Sequence, residues 1–165
     1  MNDLGHIVEF IPRLRRYARA LVADRSQAED LVQDTLERAW AKQHLFRHGT
    51  DLRAWLFTLM HNVHVNHIRA ARTDDPLDEA MPELQQYPAQ GDSLALRDMD
   101  RALARLPAEQ REALLLVTLE EMSYAETAHA LGVPVGTVMS RLSRAREKLR
   151  GLLLGAPEAR LKRIK

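Results

Sequence analysis

Thr137, Ser140, Arg141, Arg144 and Lys148 recur at short intervals near the C-terminus, so that one helix would carry all five on its exposed side. Small hydroxyl residues at the start of such a helix, followed by arginines along the same stripe, suit contact with phosphates and base edges. Val138, Leu142, Ala145 and Leu149 follow one another by four, three and four residues, which supplies the buried stripe. A helix must precede this one. Ser123-Tyr124-Ala125-Glu126 reads as a capping box, Ala128 and Leu131 point inward, Gly132 suits a left-handed exit, and Pro134 stops the helix from continuing. A basic stripe alone also fits a solvated surface helix. Box, small alanine, glycine turn and second helix within one short window instead predict a DNA-binding helix-turn-helix.

No catalytic constellation accompanies it. A His-Glu-x-x-His pair, a phosphate-cradling glycine-rich loop and a nucleophile elbow are all missing from the sequence, so no enzymatic activity, cofactor or small-molecule substrate is expected. His61, His64 and His67 recur every three residues, with His44 and His48 nearby. They drift around a helix without a completing Cys or carboxylate, so no metal site is expected. A titratable DNA-facing surface is the simpler reading of these histidines.

The 165 residues contain abundant Leu, Ala, Arg and Glu, few aromatics and no Cys, which predicts an all-α protein without disulfides, compatible with the cytoplasm. The longest apolar run, Ala113 to Leu119, is too short to span a bilayer, and no membrane insertion is expected. Net charge is +1, but it is segregated: residues 1–72 carry 11 Lys/Arg against 8 Asp/Glu, residues 73–100 carry 1 against 8, and residues 101–165 carry 12 against 7. The acidic middle contains Pro76, Pro82, Pro88 and Gly91 and lacks helical periodicity, which predicts a flexible linker over 73–93. It separates two helical domains, 1–72 and 94–155, and a basic tail, 156–165, follows.

In the first domain, Ile7, Phe10, Ile11, Leu14, Tyr17, Ala18 and Leu21 place one buried stripe on a helix over about 4–22, which Pro12 is expected to bend. Ser26-Gln27-Ala28-Glu29 reads as a second capping box, opening a helix that carries Leu31, Val32, Leu36, Ala39 and Trp40. Glu29, Asp30, Gln33, Asp34, Glu37 and Arg38 lie on its exposed side. After a loop at 46–50, a third helix is predicted over 51–72, with Leu52, Trp55, Leu56, Leu59, Val63 and Ile68 inward.

Three segments carry a family resemblance: Ala28-Glu29-Asp30-Leu31-Val32-Gln33-Asp34-Thr35, then Phe46 through Asn62 with Leu52-Arg53-Ala54-Trp55-Leu56, and Leu106-Pro107 with Gln110-Arg111-Glu112-Ala113-Leu114 running into the helix-turn-helix. In this order, across an acidic linker, the chain resembles an extracytoplasmic-function sigma factor of bacterial RNA polymerase. The resemblance implies that Asp30, Leu31, Gln33, Asp34 and Glu37 dock on core RNA polymerase. It implies that Phe46, His61, Asn62 and Asn66 face the melted −10 element, Phe46 and Asn62 matching the pocket for a flipped base. Thr137, Ser140, Arg141, Arg144 and Lys148 would meet the duplex −35 element. Met139 and Ser143, and His61 and Asn66, depart from residues frequent in relatives. The resemblance further implies that the linker threads a basic channel of the polymerase and that an anti-sigma factor controls the protein. Two alternatives are a sigma-like decoy that binds an anti-sigma protein, and a polymerase-independent helix-turn-helix regulator.

Overall fold

The computed structural model describes residues 4–74 and 94–154. Thr73 and Asp74, expected in the linker, are helical and close the third helix; the rest of the linker, 75–93, and the basic tail over 156–165 lie outside the described residues. Seven α-helices follow in chain order: α1 (Leu4–Leu21), α2 (Arg25–Ala41), α3 (Leu52–Asp74), α4 (Leu94–Ala104), α5 (Ala108–Thr118), α6 (Tyr124–Leu131) and α7 (Val135–Leu153). A single 3-10 turn, Gln43–Leu45, lies between α2 and α3, and the described residues contain no strand.

Helices α1, α2 and α3 form one packed group, with α2 lying against both others. Leu14, Tyr17, Leu21, Leu31, Leu56, Phe57 and Met60 fill its centre, and the Tyr17 and Phe57 rings meet edge to face with centroids 5.0 Å apart. Helix α1 runs unbroken through Pro12. The expected box at Ser26 does not form. Asp24 caps α2 instead, its carboxylate accepting the Ser26 N–H at 2.8 Å. Glu29 is drawn away to α1, where it pairs with Arg15 at 3.3 Å and Arg19 at 3.5 Å. Trp40, expected inward, is 51% exposed.

Helices α4 to α7 form the second group, in which α7 packs on α4, α5 and α6. Arg111 of α5 organises it from one half-buried position. Its guanidinium donates to the carbonyls of Leu103, Ala104 and Leu106 at 2.8 to 2.9 Å, satisfying groups that the end of α4 leaves without helical partners. The two groups share a continuous apolar core, with α5 lying on α1 and α6 on α3.

Candidate nucleic-acid interface

Ser123 and Glu126 form the expected reciprocal cap of α6. The Glu126 N–H donates to Ser123 Oγ at 3.0 Å, and the Ser123 N–H donates to Glu126 Oε2 at 3.2 Å. Gly132 ends α6 at φ 67°, a left-handed conformation that costs other residues a clash at Cβ. The next two residues turn the chain, and the Pro134 carbonyl accepts the N–H groups of Thr137 and Val138 to start α7. Val138, Leu142 and Ala145 are buried, and Leu149 is half-buried. That burial rotates the opposite stripe outward.

On this stripe, Ser140, Arg144 and Lys148 are exposed and Thr137 is half-buried. The Ser140 hydroxyl donates to the Gly136 carbonyl at 3.1 Å. Arg141 leans toward Glu109 of α5, with nitrogen and oxygen 3.8 Å apart. Four of the five expected −35 residues therefore project from one helix face or its rim, and Arg141 sits at the edge against α5.

The expected −10 residues divide. Phe46 is half-buried in the loop before α3, with its ring centroid 5.2 Å from that of Trp55 and 6.1 Å from His48. Asn62 and Asn66 are exposed one helical turn apart. Trp55 lies two turns before Asn62, so the aromatic pair and the first amide share one side of α3 at a separation of about 10 Å. His61 points elsewhere. Its Nδ1 hydrogen-bonds the buried Glu112 carboxylate of α5.

Of the other histidines, His44 and His48 are exposed, whereas His64 and His67 are half-buried. His67 Nε2 lies 2.7 Å from Asp34 of α2, and burial pushes the His64 imidazole below its ordinary value. No group of three or more His, Cys, Asp or Glu side chains among the described residues is placed to hold a metal ion.

On α2, Asp30, Gln33, Asp34 and Glu37 are exposed, but Leu31 is 0% exposed. Leu31 belongs to the core of the first three helices and cannot dock on a partner without leaving it. Trp40 extends the exposed stripe instead, standing three residues beyond Glu37 in the spacing Asp30, Gln33, Glu37, Trp40. That spacing was present in the sequence. No helix among the described residues is long and apolar enough to cross a membrane.

Residues 7–61 match the family described as the Sigma2 domain of PhyR, and residues 96–149 match Sigma-70, region 4. The chain is 40% identical over 149 residues to the extracytoplasmic-function RNA polymerase sigma factor EcfG of Rhodopseudomonas palustris, covering 89% of this chain and 82% of that relative. Among solved structures it is similar to the sigma factor RpoE of Bartonella quintana in complex with the anti-sigma factor NepR, at TM-score 0.81 and 40% identity over 90% of this chain and 94% of that one. It is also similar to CnrH in complex with the cytosolic domain of CnrY, at TM-score 0.68 and 29% identity over 92% and 88% of the two chains.

Proposed function

Because the chain belongs to the extracytoplasmic-function sigma factors of bacterial RNA polymerase, we propose a division of labour among its helices in carrying the polymerase to promoters. As a member of that family it binds core RNA polymerase and directs promoter-specific initiation under the control of an anti-sigma factor. Bond making in RNA synthesis belongs to the polymerase. The sigma factor contributes recognition, and no group in it is assigned a catalytic role.

The first domain, 1–72, docks through the exposed side of α2. Asp30, Gln33, Asp34 and Glu37 supply charge and hydrogen bonding, and Trp40 supplies a large apolar surface at the end of the row. The same domain captures the melted −10 strand on the Phe46, Asn62 and Asn66 side of α3. An aromatic ring offers a stacking plane and an amide reads a base edge. His61 joins this face only after leaving Glu112. The linker over 73–93 passes through the polymerase, and the second domain, 94–155, sets α7 in the major groove of the −35 duplex.

The observation that carries this reading is the exposed Ser140, Arg144 and Lys148 stripe behind a capped helix and a left-handed Gly132 turn. The experiment is transcription from a genomic library of promoter fragments with purified core polymerase and this protein, followed by start-site mapping. Discrete starts that require the protein are expected and would display both promoter elements. A folded protein that yields no starts would move the function to a sigma-like decoy or to a polymerase-independent regulator.

A further inference from the structure

The faces that meet between the two helical groups carry more charge than a passive contact needs. The Glu120 carboxylate, two residues beyond α5, is 0% exposed, and two cations from α1 of the first domain pair with it. Arg13 Nη2 lies 3.0 Å and Arg16 Nη2 3.8 Å from its oxygens. Arg53, in the first turn of α3, donates to the Glu120 carbonyl at 3.0 Å and reaches Glu126 Oε2 at 3.4 Å. Glu126 is also the carboxylate of the α6 capping box, so Arg53 grips the helix-turn-helix at its first cap. His61 holds Glu112, and Arg111 donates to the Leu21 carbonyl at the end of α1 at 2.8 Å. Glu121, beside the clamped residue, is held at φ 53°, where glycine is the usual occupant.

This arrangement cannot read a promoter. The −10 and −35 elements are centred about 25 base pairs apart, roughly 85 Å along a duplex at about 3.4 Å per pair. Arg53 touches the first turn of α6, and α6 has only 8 residues before the turn into α7. The start of α7 therefore lies within about 25 Å of the start of α3. One DNA-reading side chain, His61, is moreover occupied by a carboxylate of the other domain.

We propose that the free chain holds itself in a closed, promoter-incompetent state through a latch in which Arg13, Arg16, Arg53 and His61 of the first domain grip Glu120, Glu126 and Glu112 of the second. Opening the latch is then a step that precedes promoter recognition, and it requires no second protein to close it. The proposal rests on the sigma-factor reading above only for what the open state does. Closure itself is a property of the isolated chain.

Two measurements test it. The sequence has no Cys, so Gln27→Cys on α2 and Glu147→Cys on α7 provide two thiols for a donor and acceptor dye on the full-length chain. Single-molecule energy transfer without any partner should show one compact population. The added pair Arg13→Ala and Arg16→Ala, both on the solvent side of the contact, should convert much of it to an extended one. An extended population in the unsubstituted chain overturns the latch, as does a compact population that ignores the two arginines. In the second measurement, Arg13→Cys and Glu120→Cys, which stand 3.0 Å apart as the native ion pair, are joined by a short thiol-cleavable cross-linker. Bridged protein should give at least tenfold fewer promoter-specific transcripts with core polymerase than the same sample after reductive cleavage. Equal output before and after cleavage overturns the requirement for opening. A chain opened by Arg13→Ala and Arg16→Ala that still directs no transcript would refute the sigma-factor reading and leave closure standing.

Discussion

Asp30 and Leu31 are adjacent in sequence and opposite in exposure, so the proposed docking face and the core are separable at the scale of single side chains. Leu31→Ala removes a fully buried side chain and should lower unfolding free energy by about 2–5 kcal/mol in denaturant titrations. Asp30→Lys with Asp34→Lys should leave the melting temperature within a few degrees and abolish co-purification with core polymerase. Retained co-purification would place the docking face elsewhere. On α7 two of the exposed cations, Arg144 and Lys148, should also differ from one another. Arg144→Ala should weaken use of −35-dependent promoters about tenfold and relax preference at one position if its fork reads a base. Lys148→Ala, acting on phosphate, should weaken all sequences alike and lower the salt slope of binding by about one. Transcription from a library of −35 variants at two salt concentrations distinguishes these outcomes.

Helix ends carry the next level of control, and two left-handed residues make a matched pair. Gly132 adopts φ 67° where glycine is at ease, whereas Glu121 adopts φ 53° with a full side chain. Gly132→Ala should therefore cost about 1 kcal/mol and Glu121→Gly should add about the same, both read from denaturant midpoints. A Glu121→Gly variant less stable than wild type would show that its side chain is held for another reason. The α6–turn–α7 unit was legible in sequence because each signal is local. Ser123 and Glu126 are three residues apart, and only Gly132 suits the turn. The Ser26 box was as clear on paper and did not form. Asp24 lay two residues upstream and supplied a carboxylate cap, while Glu29 found two arginines on α1. Trp40 is exposed although an aromatic at that position suits a core, because its spacing continues the exposed acidic row.

Contacts between the two helical groups leave no trace in periodicity, since Arg53 and Glu126 are 73 residues apart and Glu126 reads in sequence only as a local helix cap. Only the fold reveals that Glu120 is buried among Arg13, Arg16 and Arg53. Burial pushes its carboxyl above the ordinary value of 4.5, and the three cations pull against that shift without cancelling it. The closed state consequently binds a proton that the open state has released. Closure is favoured by this group below 4.5 and loses that contribution as pH rises through the raised value. Removing Arg13 and Arg16 should lift the Glu120 pKa further, measurable by the carboxyl carbon shift of glutamate-labelled protein. The two arginine substitutions should then open the chain strongly at pH 7.5. They should open it much less near pH 4, where Glu120 is mostly protonated in either state and asks little of its cations. Glu120→Gln should remove this difference, because a neutral amide leaves Arg13 and Arg16 nothing to offset. Energy transfer between dyes on Gln27→Cys and Glu147→Cys, followed from pH 7.5 to 4 in all three backgrounds, reads the prediction directly. A pH profile of the arginine variant parallel to that of wild type would mean that the cations stabilise closure through packing of their stems rather than through the Glu120 charge.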